Sequence, residues 1–117
     1  MMGSKRCSAS KAYLHPALKR KNLETQLNVT VDKVIMDGKK AIGIEFQKKG
    51  KNFAAFAKKE IILCSGSLCS PMILMRSGIG DTSELSNLGI KTLCNLEGVG
   101  KNLQDHIAVS TQFESIK

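Results

Sequence analysis

The residues with the clearest capacity for chemistry lie where a short apolar run meets a glycine. Residues 60–64, EIILC, end at Ser65-Gly66-Ser67, and a helix signal with Pro71 near its first turn follows. A strand, a glycine turn and a helix start let a ligand approach the backbone, next to free N–H groups and the positive end of the helix dipole. On the residues alone, a plain turn glycine is the favoured interpretation. The candidate for close approach of a ligand is Gly66, which has no side chain to obstruct it.

Asp105 and His106 form a second candidate, because they place two titratable side chains next to each other. On the residues alone, a surface turn closed by an Asp–His hydrogen bond is the favoured interpretation. His15 precedes Pro16 in a basic segment and has no acidic neighbour in sequence. We therefore expect His15 to be an ordinary exposed histidine.

Four cysteines, at positions 7, 64, 69 and 94, form no C-x-x-C pair and have no histidine at zinc-ligand spacing. This spacing argues against a metal site. Cys64 and Cys69 lie within or beside apolar runs, so we predict that both are small buried residues in a reducing compartment.

The positive charge is concentrated in the first half of the chain. Residues 1–51 carry twelve Lys or Arg against four Asp or Glu, whereas residues 52–117 carry six of each. A basic half can bind nucleic acid or another anionic surface. The lysines fall beside turn signals and no aromatic residues interleave with them to stack on bases, so solvated turns are the favoured interpretation and no nucleic acid is expected.

The length of 117 residues allows at most one small domain, with an aliphatic core because the chain has no Trp, one Tyr and four Phe. A self-sufficient enzyme with separate cofactor and substrate domains does not fit this length. No signal-peptide core is visible at the start, and no apolar stretch approaches the ~20 residues of a membrane span. We expect a soluble, cytoplasmic protein of unknown oligomeric state.

The first half of the chain predicts a short helix and then an antiparallel meander. Residues 8–18 favour a helix that Pro16 ends. Residues 23–57 have the alternation and β-branched enrichment of strands, with Asp37-Gly38 as a hairpin turn and Gly50 as the next turn. Ile42, Ile44 and Phe46 are predicted to share one face.

The second half predicts a buried strand over residues 60–64 and a helix that packs Met72 and Met75 into the core and stops at Gly78. A second helix is predicted from a capping box, with Asp81 as N-cap and Glu84 at N3, to about Leu88. The remaining elements are a turn at Gly89, a short extended piece at 90–93, a glycine loop at 98–100 and an alternating stretch at 107–113.

Several of these segments resemble motifs of one known family. Residues 66–80, GSLCSPMILMRSGIG, resemble across all fifteen positions the second signature of the glucose–methanol–choline (GMC) flavin oxidoreductases. Residues 98–106, GVGKNLQDH, resemble the downstream V-G-x-N-L-Q-D-H block of that family. Residues 3–16 resemble its segment before the meander, and residues 28–34, NVTVDKV, look like its edge of the flavin domain. The resemblance covers essentially the whole chain in the right order.

The resemblance implies an α/β fold: part of a Rossmann-like FAD-binding domain with an antiparallel β-meander and a strand–glycine turn–helix unit. It implies FAD as cofactor and hydride transfer to the flavin from the CH–OH group of choline or another primary alcohol. Val31 would contact the adenine through backbone atoms, although the residue alone is read as a core valine. The other residues that the resemblance places near FAD are Cys64, Ser65, Gly66, Asn102, Asp105 and His106.

Two parts of the family pattern are not found in this sequence. It contains no G-x-G-x-x-G loop for the FAD pyrophosphate, and neither histidine matches the catalytic base of the family. Residues 1–117 are thus expected to be an internal piece of the FAD-binding domain, with no catalytic residue and no activity alone. The alternatives are a basic, non-catalytic module for nucleic acid or another anionic surface, and the partly folded product of a decayed gene.

Overall fold

A computed structural model describes residues 6–115 and begins with a helical segment. A π-helical turn, Ser10–Leu14, runs directly into α1, His15–Ala17. Pro16 lies inside this continuous helical segment, which ends at Ala17, one residue after the proline. The prediction that Pro16 ends the helix is therefore wrong by one residue, because the proline removes only its own N–H donor.

The antiparallel meander is confirmed, with shorter bounds. Strands β1 (Val29–Asp37), β2 (Lys40–Lys48) and β3 (Lys51–Phe56) form one sheet in the order β1-β2-β3. Residues 23–28 are not a strand. Asn28 has a left-handed backbone with a φ of 56°, which interrupts the extended chain just before β1.

Two-residue turns join the strands, the first of them one residue later than predicted. Gly38 and Lys39 connect Asp37, the last residue of β1, to its partner Lys40, with Gly38 at a φ of 55°. Lys49 and Gly50 close the second hairpin, both with positive φ, as type I′ hairpin turns require. Lys39 and Lys49 are exposed on these turns, as predicted, whereas Lys40 begins β2.

Two β-bulges break the alternation of the first hairpin. Asp32 is an extra residue in β1, since Val31 opposes Phe46 and Lys33 opposes Glu45. Ile42 is the extra residue in β2. Because of the bulge in β2, Ile42 does not continue the alternation of Ile44 and Phe46 as predicted. The bulge in β1 brings Val34, opposite Ile44, to the face that carries Val31.

Helix α2, Gly66–Arg76, begins five residues before Pro71, so this proline lies inside the helix rather than near its first turn. Ile73 is buried with 5% of its surface exposed, but Met72 is 49% exposed. The core position predicted for Met72 is therefore wrong, while Met75 is half-buried.

A glycine-rich junction, Ser77–Gly80, follows α2 and contacts both β1 and residues 93–95. Its β4, Ile79–Gly80, pairs in parallel with β5, Cys94–Asn95. The carbonyl of Gly78 accepts from the N–H groups of Leu93 and Cys94, at 2.7 and 3.1 Å. A Cβ on Gly78 would lie 2.6 Å from the carbonyl oxygen of Lys91, so this close contact requires glycine.

Helix α3, Thr82–Asn87, has the predicted N-cap, since an Asp81 carboxylate oxygen accepts from the N–H groups of Ser83 and Glu84. The reciprocal half of the capping box is replaced by an ion pair of the Glu84 carboxylate with Lys101. Leu88 ends α3 and Gly89, with a φ of 71°, follows, as predicted.

The strand predicted for residues 60–64 is wrong within the described residues. Residues 60–64 form no strand, and neither does the alternating stretch 107–113. Ile62 is 72% exposed and Ile107 is 96% exposed. The radius of gyration is 19.6 Å, against about 13 Å for a compact domain of this length. No helix between residues 6 and 115 is both long and apolar enough to cross a membrane.

Candidate functional site

An open groove of about 760 Å³ runs between α2 and the segment 98–104. Both walls come from sequence that carries the family resemblance: α2 from residues 66–80, and the other wall from the GVGKNLQDH block. The groove is also lined by residues that were not assigned to a ligand site from the sequence, and the glycines at 98 and 100 were the sequence feature that could have indicated it. These lining residues include Ser67, Ser70, Pro71, Met75 and Gln104.

The N-terminal end of α2, with Gly66, precedes the first lining residue of this groove, Ser67. Gly66 has a φ of 85°, and apart from its own helix and chain neighbours no atom of residues 6–115 lies within 4 Å of where its Cβ would be. The N–H of Ser65 donates to the hydroxyl of Ser70 at 3.0 Å, which ties the residue before the helix to its second turn. Gly66 thus combines a backbone that disfavours a side chain with free space around it.

Cys64 and Cys69 flank this helix start and are both exposed, which overturns their predicted burial. The apolar run before Cys64 has no strand partner in the part of the chain described, and its Ile62 is exposed while Ile61 and Leu63 are half-buried. All four cysteines are free thiols, and residues 6–115 contain no cluster of three or more potential metal ligands.

The opposite wall is held by backbone conformation and one ion pair. Asn102 has a positive φ of 55° and Gly100 one of 78°. The ammonium group of Lys101 pairs with the Glu84 carboxylate, and this hydrogen bond raises the pKa of Lys101. The pair joins the wall that carries Asn102 to α3, but its two side chains are 43% and 41% exposed, so it holds this geometry only weakly.

Asp81 also has a shifted pKa. The hydroxyl of Ser83 donates to its carboxylate, and the N–H groups of Glu84 and Ser83 add to this. These hydrogen bonds lower the pKa of Asp81 from its ordinary value. The carboxylate therefore stays ionised at the start of α3, where the helix dipole favours negative charge.

Asp105 and His106 lie beyond the groove lining and are exposed. The N–H of His106 donates to the Asp105 carboxylate at 2.7 Å. This local contact matches the surface-turn alternative, with the backbone rather than the imidazole as donor. Their assignment to FAD stays a prediction.

Val31 lies in a different place, a concavity of about 530 Å³ on one face of the meander. The rings of Phe46 and Phe53 stack there at 5.7 Å between centroids. Val31 is half-buried rather than a fully buried core valine. The structure thus brings Asn102 and the α2 helix to one groove and leaves Val31 on the separate face of the sheet.

The comparisons with known proteins agree on one family. The family model of the GMC oxidoreductases matches residues 2–108. Mitochondrial choline dehydrogenase of Homo sapiens is 48% identical over 108 residues, which cover 92% of this chain and 18% of that protein. Oxygen-dependent choline dehydrogenase of Staphylococcus xylosus is 49% identical over 108 residues, which cover 92% of this chain and 19% of that protein. The chain spans about a fifth of the length of these relatives.

Solved structures support the same assignment. Pyridoxine 4-oxidase from Mesorbium loti superimposes with a TM-score of 0.72 and 32% identity, over 81% of this chain and 19% of that chain. An FAD-dependent oxidoreductase from Chaetomium thermophilum gives 0.69 and 33%, over 72% of this chain and 15% of that chain. Sequence, fold and family model together lead to one conclusion: this chain belongs to the GMC oxidoreductase family.

Proposed function

We propose that the chain is part of an FAD-dependent oxidoreductase that transfers hydride from the CH–OH group of choline or a similar primary alcohol to the flavin. The observation that carries the proposal is the identity of 48–49% to two choline dehydrogenases over 92% of the chain. The apolar run at residues 60–64 also supports it: the run has no strand partner among residues 6–115 and leaves Ile62 72% exposed, and a larger enzyme would supply strand partners.

The described residues fit FAD at two places. The start of α2 offers the positive end of an eleven-residue helix, and Gly66 leaves free space at that end. The concavity beside Val31 combines apolar side chains with an edge strand whose backbone can hydrogen-bond, which suits a flat heteroaromatic ring such as adenine. The residues proposed to hold the cofactor are Val31, Cys64, Ser65, Gly66, Asn102, Asp105 and His106.

Bound FAD would accept the hydride, and the roles of this chain are to bind and orient it. Asn102 lines the groove with a positive φ of 55°, next to Lys101, which pairs with Glu84. No residue of this sequence is assigned as the base, so we propose that the 117-residue chain alone does not oxidise alcohols. The substrate is proposed to be a small alcohol.

A segment exchange tests the proposal. Residues 2–108 of this chain replace the matching segment of the Staphylococcus xylosus choline dehydrogenase. We expect the chimera to keep bound flavin and choline-dependent dye reduction, and the 117-residue chain with added FAD to have no turnover. A folded chimera without flavin, or turnover by the chain alone, would contradict the proposal.

Gly66→Val sharpens the cofactor assignment within the chimera. A side chain there would enter the free space at the helix start and strain a backbone with a φ of 85°. We expect the ratio of flavin to protein absorbance to fall before the melting temperature of the apoprotein does. Lys49→Ala, in the exposed hairpin turn, is the control and should change neither, within about 0.5 kcal/mol of stability. Full flavin in Gly66→Val would make Gly66 a turn residue only.

A basic binding module remains the second candidate, favoured only by the net charge of +8. The coding sequence on both sides of this chain separates the two candidates. An upstream G-x-G-x-x-G loop and a downstream segment with a catalytic histidine would support the oxidoreductase, and their absence would favour the binding module.

A further inference from the structure

We propose that Ser77 is a positioning residue that ties β1 to the C-terminal end of α2 and so fixes two proposed FAD-binding segments relative to each other. This inference rests on the proposed function and deepens it. Val31 lies on β1, and Gly66 begins α2. Neither residue touches Ser77, so its role would be exerted through the backbone of the two elements.

The hydroxyl of Ser77 makes two hydrogen bonds in a buried place. It accepts from the N–H of Val34 at 2.8 Å and donates to the carbonyl oxygen of Ile73 at 2.6 Å. Ser77 is 6% exposed and Val34 is 6% exposed. One side chain thus links the last turn of α2 with the middle of β1.

This hydrogen bond satisfies a backbone donor at the edge of the sheet. β1 is the edge of the three-stranded sheet, with β2 on one side, so the N–H of Val34 points away from the sheet. A buried N–H without a partner is strongly unfavourable, and Ser77 supplies the acceptor. A hydroxyl is suited to the task because it accepts and donates at once.

One other side-chain hydrogen bond joins β1 and α2 among residues 6–115: that of Arg76 to Asp32, at 3.5 Å. Both of its side chains are about half exposed, and exposed ion pairs hold geometry weakly. The buried Ser77 contact is therefore the better defined of the two. Beyond it, α2 runs eleven residues, roughly 16 Å, as a rigid element from Arg76 back to Gly66.

The first arm of the test measures the tie in the full 117-residue chain. We expect amide hydrogen exchange of Val34 to accelerate about tenfold or more in Ser77→Ala and to stay slow in Ser77→Thr, which keeps the hydroxyl. Ile73→Val is the matched control, because it removes one buried methyl group near the tie and keeps the backbone carbonyl that Ser77 uses. Unchanged exchange of Val34 in Ser77→Ala would overturn the inference.

The second arm measures FAD in the chimera described above. We expect Ser77→Ala to raise the dissociation constant for FAD about tenfold and to change the visible circular dichroism of the bound flavin. Ser77→Thr should restore both, and Ile73→Val should leave both unchanged. Equal effects of Ser77→Ala and Ile73→Val would overturn the inference, because a general loss of stability would then suffice.

The two proposals fail in different ways. A wild-type chimera that folds without flavin contradicts the proposed function and this inference with it. A flavin-loaded wild type whose Ser77→Ala variant keeps the same affinity and the same spectrum contradicts this inference alone.

Discussion

Two apolar parts of the chain end in opposite environments. Around the Ser77–Gly80 junction, Val34, Ile73 and Leu85 are 6%, 5% and 0% exposed. In segments 60–64 and 107–113, which form no strand, Ile62, Ile107 and Phe113 are 72%, 96% and 91% exposed. These residues are similarly hydrophobic, so the difference lies in the side chains that surround them. Residues 6–115 contain side chains that bury Val34, Ile73 and Leu85, but none that bury Ile62, Ile107 or Phe113. Burial here is a property of the neighbours rather than of the side chain.

Gly78→Val is expected to give the largest effect and would break the junction. Its Cβ would meet the Lys91 carbonyl oxygen at 2.6 Å, and its backbone has a φ of 81°. We expect a loss of more than about 4 kcal/mol in urea unfolding followed by circular dichroism.

Gly38→Val is the control for that variant. Gly38 also has a positive φ, of 55°, but no atom lies within 4 Å of where its Cβ would be. We expect a loss of about 1–2 kcal/mol from backbone strain alone. Equal losses in the two variants would mean that the contact with Lys91 is unimportant.

Leu85→Ala and Ile107→Ala compare the two regions directly. Leu85 is fully buried, so its truncation is expected to lower the free energy of unfolding by about 2–5 kcal/mol. Ile107 is 96% exposed, and its truncation should change stability by less than about 0.5 kcal/mol. A loss for Ile107→Ala as large as that for Leu85→Ala would show that the tail is buried in solution.

The sequence predicted the features that depend on neighbours in the chain. The N-cap Asp81 and a hairpin turn containing Gly38 both follow from local hydrogen bonds and backbone angles; the N-cap is confirmed, and the turn lies one residue later than predicted, at Gly38-Lys39. Pro16 was predicted wrongly because its effect depends on its position in the helix. Residues 60–64 have the pattern of a buried strand, but pairing needs a partner that a local pattern cannot supply.

The candidate site was predictable in part, for the same reason. The Gly66 junction and the glycine block at 98–100 could be located, because unusual residues mark them. Ser77 could not, since a serine at the end of a helix gives no sign that it reaches an edge strand. The ion pair of Lys101 with Glu84 is equally invisible, because it depends on how α3 packs beside the 98–104 segment.

The smallest expected effect is on stability at acid pH, and it comes from Asp81 at the start of α3. Hydrogen bonds hold the pKa of Asp81 below its ordinary value of 3.8, so the ionised carboxylate stabilises the folded chain above that value. This contribution is lost as the pH falls through the lower pKa of the folded state. We expect Asp81→Asn, which can still cap α3, to flatten the dependence of stability on pH in this acid range.

Ser83→Ala provides the matched variant for the acid experiment. The Ser83 hydroxyl is the main cause of the lowered pKa, so its removal should raise the pKa of Asp81, measured by carboxyl resonances in an NMR titration. An unchanged titration in Ser83→Ala would contradict the assigned cause.

The bulge at Asp32 has a consequence for how the length of this hairpin can vary during evolution. The extra residue sits between the pairs Val31–Phe46 and Lys33–Glu45, and both pairs fit a regular ladder without it. Deletion of Asp32 is therefore expected to remove the contact with Arg76 but to leave every paired side chain on its present face. A strand of this kind can lose a residue in one mutational step, where a regular strand would turn its apolar face to solvent.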